Sequence, residues 1–172
     1  MVKTFLALGC LAALSTTTWA AEPAFVEHIS ARSDGGQGSP VKLKKDGAIS
    51  TKASFKPPVE ILVEAKTDST NLRLGFAADQ IIFNWEKDRT QLRVDGGPAS
   101  GKHKFGAGQI PTNKYVVVRW VVTTKKQSVY VDNQLRFEHE GDYSHIEHPI
   151  TIFSAAGSEI TVKSIKVRPL PE

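Results

Sequence analysis

The chain of 172 residues contains one cysteine and one methionine, and both lie within the first twenty residues. The remainder cannot form a disulfide, which excludes the small cystine-stapled domains of secreted proteins and any thiol catalysis. After residue 20, no apolar run approaches the roughly 18 residues of a membrane-spanning helix. Stability must therefore come from a packed core, and a mature chain of about 150 residues is long enough to form one.

Neither positive nor negative charge is in large excess. The formal net charge is +4, and the sequence has no run of five or six like charges. Proteins that bind nucleic acid usually concentrate basic residues in such runs or patches. We therefore expect neither a nucleic-acid partner nor a membrane span.

The first twenty residues combine a cation at Lys3, an apolar stretch from 5 to 14, and small residues leading to Ala20. This pattern is typical of a secretory signal peptide that is cleaved after Ala20. Lipoprotein processing at Cys10 is the alternative, but the apolar run before it is shorter than the roughly seven to fifteen residues that a signal needs. We expect an exported protein, periplasmic or extracellular.

Beyond residue 40 the chain consists of short runs of β-branched and aromatic residues separated by turn residues, and none shows a helical period. This pattern predicts an all-β protein, an antiparallel sandwich of two sheets over residues 41–172. Residues 21–40, which include SDGGQGSP, are expected to be loosely ordered. The predicted strands are 59–67, 71–77, 80–85, 91–95, 115–123, 128–132, 135–140, 150–154 and 160–167.

Side chains alternate between the two faces of a strand, so the sequence also predicts which residues are buried. The predicted core residues are Phe76, Phe83, Trp120, Val131 and Ile152. Trp85 should follow Phe83 into the core by the same rule, although its place at a strand end could leave its edge exposed. Arginine, asparagine and tyrosine recur at the positions opposite the core, where an ordinary solvated face carries mainly Lys, Glu, Thr and Ser.

The C-terminal half resembles a known superfamily. A strand with Trp120 is followed by Val-Tyr-Val-Asp at 129–132, and a late strand of alternating apolar residues begins at 160. This order resembles the concanavalin A-like lectin/glucanase superfamily, and within it the LamG-like and 3-keto-disaccharide hydrolase-like families. Asn133 stands where the family usually has glycine, and both residues tolerate the left-handed conformation of a tight turn. The resemblance implies a jelly roll.

Because this superfamily includes glucanases, an enzyme must be considered. Glucanases carry three alternate carboxylates on one strand, whereas here Glu60 and Glu64 flank Leu62. The two acids would lie about 13 Å apart along a strand, beyond the roughly 5 to 9.5 Å of glycosidase carboxylate pairs. We interpret both as solvated acids. No serine lies in a G-x-S-x-G turn.

The five histidines match no strong zinc pattern, although three of them lie in the stretch FEHEGDYSHIEH. Calcium is a separate possibility, with Asp95, Asp132 and Asp142 as candidate ligands in loops. No loop contains a D-x-D-x-D run. We expect no cofactor, and a structural calcium ion stays open.

The connection GGPASGKHKFGAG at 96–108 is longer than a hairpin requires and is a candidate functional loop. Lys102, His103, Lys104 and Phe105 are its expected contact residues. It is not a phosphate-binding loop, because it lacks the G-x-x-x-x-G-K-[ST] pattern.

We expect a non-catalytic binding module for a polysaccharide or glycoconjugate, in particular an anionic one, because arginine's planar fork suits carboxylates, sulfates and sugar hydroxyls. The candidate ligand-binding residues are Arg73, Asn84, Arg93, Arg119, Tyr130, Arg136, Lys102 and His103. Two alternatives stay open. One is a glycan-processing hydrolase with acids among Glu138, Glu140 and Asp142, and the other is a structural or protein-interaction domain.

Overall fold

The computed structural model describes residues 23–29 and 40–171. Within these ranges the chain forms twelve β-strands and no helix. None of the described residues forms a helix long and apolar enough to cross a membrane. The expected signal peptide at 1–20 lies outside the described residues, as do residues 21, 22 and 30–39 of the segment expected to be loosely ordered.

The strands are β1 Val26–Ile29, β2 Val41–Leu43, β3 Ala48–Ser50, β4 Val59–Thr67, β5 Leu72–Gly75, β6 Gln80–Phe83, β7 Arg93–Asp95, β8 Val116–Val122, β9 Lys126–Val131, β10 Gln134–Glu140, β11 Thr151–Phe153 and β12 Ile160–Pro169. Nine of the twelve strands, β4 to β12, correspond to the predicted runs, whereas β1, β2 and β3 were not predicted.

The strands form two antiparallel sheets. A seven-stranded sheet has the order β1-β12-β4-β8-β9-β10, with β2 also paired to β12, and a five-stranded sheet has the order β3-β11-β5-β6-β7. One hydrophobic core lies between them. The expected all-β sandwich of two sheets is therefore confirmed.

Trp120 is at the centre of this core. It is fully buried, and the ring of Phe76 packs edge-on against it with centroids 6.0 Å apart. Its indole Nε1 donates to Gln127 Oε1 at 2.9 Å, which satisfies the one polar group of the side chain. All five predicted core residues are buried.

Two predictions near the end of β6 are wrong. Asn84 follows β6 with φ at 50°, a left-handed conformation that asparagine tolerates and that ends the strand's alternation. Asn84 is buried instead of facing outward, and its amide bonds to the backbone N and O of Ile110, both at 2.9 Å. Trp85 consequently leaves the core and is only half-buried.

The sandwich also begins earlier than expected. β1 lies inside the segment expected to be loosely ordered, and it pairs with β12 with Val26 opposite Val167. β1, which precedes residue 41, is therefore an edge strand of the seven-stranded sheet.

Candidate functional site

The candidate ligand-binding arginines do not converge on one surface. Arg73 and Arg93 lie on the outer face of the five-stranded sheet, whereas Arg119 and Tyr130 lie on the outer face of the seven-stranded sheet. These two faces point away from each other across the core. Each must therefore be considered as a separate surface.

The outer face of the five-stranded sheet carries Arg73, Ile82 and Arg93 side by side, because the register pairs Arg73 with Ile82 and Ile82 with Arg93. Phe153 of β11 pairs with the other side of Arg73. Ile82 is buried although it lies outside the core cluster, which shows that its neighbours on this face cover it.

A continuous hydrogen-bonded network fixes the polar side chains of this face. Arg73 Nη1 donates to Gln80 Oε1 at 2.9 Å, and Gln80 Nε2 donates to Asp95 Oδ2 at 2.9 Å. Arg93 Nε donates to the same carboxylate oxygen at 2.9 Å. Arg73 Nη2 also lies 3.5 Å from Glu86 Oε2. Two carboxylates therefore balance two guanidinium groups, and the face is pre-organised rather than strongly cationic.

Trp85 adds an aromatic ring to the same face. The guanidinium carbon of Arg93 lies 4.5 Å from the ring centroid, and Lys87 Nζ lies 5.8 Å from it. These distances are typical of cation–π contacts. We refer to Trp85, Arg73, Gln80, Arg93 and Asp95 together as the Trp85 face. Sequence reasoning missed Trp85, because the left-handed conformation of Asn84 that turns it outward is visible only in the structure.

A cleft of about 370 Å³ adjoins the Trp85 face. Its floor includes Phe153, the cross-strand neighbour of Arg73, and Gly75, two residues further along β5. Side chains two apart on a strand share a face, so cleft and network form one surface. The full lining is Gly75, Phe76, Ala77, Ala78, Asp79, Gly97, Pro98, His145, Ile146, His148, Pro149, Thr151 and Phe153.

Two glycines allow the cleft wall to form. Gly96 and Gly97 have φ of 72° and 65°, a region that favours glycine. A Cβ at Gly96 would overlap the side chain of Asp79, and one at Gly97 would overlap the carbonyl of Ala77. The start of the long loop therefore packs directly on the turn between β5 and β6, as a larger residue could not.

The outer face of the seven-stranded sheet has a structural ion-pair cluster. Glu60 is buried, with Arg119 Nη1 at 3.2 Å from its Oε1 and Arg168 Nε at 2.6 Å from its Oε2. The guanidinium of Arg119 also lies 3.8 Å from the Tyr130 ring centroid. The interpretation of Glu60 as a solvated acid is wrong, because two arginines compensate its charge. Glu64 pairs with Lys163 at 2.7 Å and is part-exposed.

The long loop folds back along β7, where Leu92 and Lys104 form a β-bridge. His103 Nδ1 accepts a hydrogen bond from the backbone N of Val94 at 3.1 Å, so this side chain anchors the loop. Lys102 is exposed. Arg136 lies on β10 at the opposite end of the loop, where its Nη1 donates to the carbonyl of Gln109 at 3.4 Å.

The three candidate metal ligands do not meet. Asp95 belongs to the Trp85 face, Asp132 Oδ1 accepts from the backbone N of Val117 at 2.9 Å, and Asp142 Oδ1 accepts from the backbone N of Ser144 at 3.0 Å. Within residues 23–29 and 40–171, no group of three or more His, Cys, Asp or Glu side chains is arranged to hold a metal ion.

The acids named for a hydrolase do not line the cleft. Glu138 accepts from Ser128 at 2.9 Å and pairs with Lys126 at 3.0 Å, and these partners lower the pKa of its carboxyl group. Hydrogen bonds from Ser144 lower the pKa of Asp142 in the same way. A general acid of a glycosidase requires a raised pKa. Neither these two acids nor Glu140 lines the cleft.

Comparison with known proteins shows the fold. No protein-family model matches the sequence, and no curated protein matches it significantly. Three solved structures that match are a galectin, LEC-6, from Caenorhabditis elegans, the catalytic domain of an endo-1,3-beta-glucanase (laminarinase) from Thermotoga petrophila, and the carbohydrate-binding module CBM66 from Bacillus subtilis.

The galectin is 14% identical with a TM-score of 0.53, covering 74% of this chain and 95% of its own. The laminarinase domain is 13% identical with a TM-score of 0.53, covering 73% of this chain and 69% of its own. The carbohydrate-binding module is 11% identical with a TM-score of 0.53, covering 86% of this chain and 96% of its own. These matches confirm the concanavalin A-like jelly roll that the sequence resembles.

Proposed function

We propose that the protein is a non-catalytic module that binds a polysaccharide on the Trp85 face and in the adjoining cleft. The observation that carries this proposal is the half-buried ring of Trp85 beside a fixed network of arginine, glutamine and aspartate. A sugar presents an apolar C–H face, which suits an aromatic ring, and a rim of hydroxyls, which suits fixed donors and acceptors. Binding sites combine these two features regularly.

The charge of the surface favours an uncharged glycan at this site. Glu86 and Asp95 balance Arg73 and Arg93, and Asp79 adds a further carboxylate in the cleft. The expectation of an anionic ligand rested on the arginines at outer strand positions, and on this face carboxylates pair with both of them. We therefore propose neutral polysaccharides as its ligands.

The chemistry of the cleft supports binding rather than hydrolysis. Asp79 is the one carboxylate among the described residues that line it. Glycosidases need two carboxyl groups roughly 5 to 9.5 Å apart. The galectin and the carbohydrate-binding module named above are sugar-binding proteins of this fold, whereas the laminarinase is an enzyme, so the fold alone does not distinguish the two functions.

A glycan array probed with residues 21–172 tests the proposal. We expect retention of neutral polysaccharides that persists at raised salt, because binding would depend on stacking and hydrogen bonds more than on long-range charge. Incubation of a retained polysaccharide with the protein should release no reducing ends. Absence of retention on every glycan would favour a protein-interaction domain, and release of reducing ends would favour the hydrolase.

We also propose that the protein acts outside the cytoplasm, in the periplasm or the extracellular space. The signal-peptide pattern of residues 1–20 supports this. N-terminal sequencing of the exported protein should begin at Ala21, and recovery of the chain from the cytoplasm with Met1 intact would contradict export.

A further inference from the structure

A second depression, of about 260 Å³, lies where the long loop meets the edge of the seven-stranded sheet. It is lined by Lys104, Phe105, Gly106, Ala107, Gln134, Leu135 and Arg136, and we call it the Arg136 pocket. β10 forms this edge of the seven-stranded sheet, whereas β7 forms an edge of the five-stranded sheet. The Arg136 pocket and the cleft share no lining residue.

Arg136 lines this pocket and has few hydrogen-bond partners for its guanidinium group. It sits between Leu135 and Phe137, where the register of β10 against β9 shifts at a bulge. Its Nε is buried and has no hydrogen-bond partner among the described residues, and its Nη1 makes only the long contact to Gln109 O at 3.4 Å. A buried charged donor without a partner is costly and rare in native proteins. Nε itself is shielded from solvent, so the terminal Nη groups of the guanidinium are the donors that an anion in the pocket can reach.

Lys104 brings a second positive charge to the same pocket. Its backbone N and O are fixed by hydrogen bonds to Leu92 at 2.9 and 2.8 Å, while its side chain is exposed. Neither Lys104 nor Arg136 forms an ion pair with any other residue in the described ranges. The charge of Lys104 helps to lower the pKa of the Glu138 carboxyl group, but Glu138 is already paired with Lys126 at 3.0 Å.

The rim of the pocket is apolar. Phe105 is 72% exposed and Leu135 is 49% exposed, two of the few large apolar side chains that the described surface leaves open. Gly106 has φ at 74°, and a Cβ built there would meet nothing within 4 Å. An exposed aromatic ring, open space and two uncompensated cations are therefore adjacent.

We propose that the Arg136 pocket binds an acidic sugar, a pyranose that carries a carboxylate or sulfate group. The anion accepts hydrogen bonds from Arg136 and Lys104, as charged donors and carboxylates do elsewhere, and the C–H face of the ring packs on Phe105. The choice of a sugar rests on the proposed function. The choice of an anion rests on the pocket itself.

A matched pair of small ligands tests this site in the mature chain. Methyl glucuronide and methyl glucoside share one ring and differ in a carboxylate against a hydroxymethyl group. In amide-detected NMR titrations, we expect the glucuronide to shift the amide signals of residues 104–107 and 134–136, and the glucoside to leave them unchanged. Arg136→Gln should weaken glucuronide binding about tenfold, the effect of losing one charge-assisted hydrogen bond.

Lys102→Gln is the matched control, because Lys102 is an exposed cation of the same loop that does not line the pocket. Lys102→Gln should leave the affinity for the glucuronide unchanged. Lys104→Gln should lower that affinity, and this second variant tests the pocket should Arg136→Gln fail to fold. Equal shifts from both sugars, or glucuronide shifts confined to the Trp85 face, would overturn the proposal. Inorganic sulfate that binds here as tightly as the glucuronide would overturn its sugar component. Failure of the neutral-glycan array alone would instead count against the Trp85 face.

Discussion

The guanidinium carbon of Arg93 lies 4.5 Å from the centroid of the Trp85 ring, and this contact joins the polar network of the five-stranded sheet to its aromatic surface. Arg93 is itself held by Asp95 at 2.9 Å. The ring is thus positioned by a side chain that is itself held in place. Pre-organisation of this kind lowers the entropy cost of binding.

Trp85→Ala should therefore weaken polysaccharide binding by about tenfold or more while the protein stays folded, because the ring lies outside the core. Tyr115→Ala is a suitable control. Tyr115 is also half-buried, and it lies near Lys66 and Lys163, away from the cleft. Affinity electrophoresis in gels that contain the polysaccharide would measure both. Equal retardation of the two variants would show that the Trp85 face is not the site.

Replacement of Arg119 tests the ion-pair cluster. Outer positions on a sheet ordinarily tolerate alanine, but Arg119→Ala leaves the buried Glu60 with Arg168 as its remaining described partner. We expect a loss of about 1 to 3 kcal/mol in the free energy of unfolding, less than the full cost of an unpaired buried charge. Urea unfolding provides the measurement.

Lys163→Ala is the matched comparison, because Lys163 pairs with Glu64 at the surface. Exposed pairs of this kind are worth about 0 to 1 kcal/mol. Adding Glu60→Gln to Arg119→Ala should recover part of the lost stability, since the uncompensated charge is then gone. If Arg119→Ala cost no more than Lys163→Ala, the cluster would have no special role.

The alternation of side chains was sufficient to predict strands β4 to β12 and the five named core residues, because burial of Trp120 or Ile152 is decided by a period of two within one strand. It could not predict which strands share a sheet. Arg93 and Arg119 both lie opposite the core, yet strand pairing places them on opposite sides of the sandwich. Glu60 shows the same limit, because its partner Arg168 is 108 residues away in the sequence.

The candidate site was harder to predict because it depends on exceptions to the alternation. A single asparagine with positive φ, Asn84, moves Trp85 from the expected core to the outer face of the five-stranded sheet. Asparagine is only one of several residues that adopt this conformation occasionally, so the sequence alone gave no reason to end the strand there. The cleft likewise depends on loops from three separate parts of the chain.

Gly97→Ala should lower both the melting temperature and the polysaccharide affinity more than Gly101→Ala does. Both glycines have positive φ, 65° and 76°, so alanine costs roughly 1 to 2 kcal/mol at each position. At Gly97 the new Cβ also overlaps the carbonyl of Ala77 in the cleft wall, whereas nothing lies within 4 Å of it at Gly101. Thermal melting and polysaccharide affinity of the two variants measure the difference. Identical melting temperatures would show that the close packing at Gly97 is not needed.

Calcium chelation should leave the melting temperature unchanged. Asp95, Asp132 and Asp142 each have separate hydrogen-bond partners, and they do not approach one another as ligands of one ion would. An ion that binds only the native state, present at 100 times its Kd, would add about 2.7 kcal/mol. A lower melting temperature in excess chelator, restored by added calcium, would contradict this prediction. It would show that calcium binds at a site other than one formed by these three aspartates.

We expect Tyr143 to make the folded protein less stable at alkaline pH. It is buried, its hydroxyl lies 2.8 Å from His139 Nδ1, and burial raises the pKa of the phenol. An exposed tyrosine in the unfolded chain titrates near pH 10. Between that pH and the higher pKa of the folded state, the unfolded chain loses a proton that the folded protein keeps. The contribution of Tyr143 is thus complete below about pH 10 and is lost as the pH rises.

Tyr143→Phe isolates this effect. The pKa values of Lys126 and Lys163 are also raised, chiefly by hydrogen bonds to Glu138 and Glu64, so these lysines contribute to alkaline destabilisation in both proteins. The difference in slope between wild type and variant therefore belongs to the phenol alone. Urea unfolding across this pH range should show a shallower decline for the variant, although its stability at neutral pH is lower because the bond to His139 is lost. A pH titration followed by tyrosinate absorbance gives a second test. The titration step that is lost in Tyr143→Phe should lie above about pH 10, and loss of a step below that pH would contradict the burial of Tyr143.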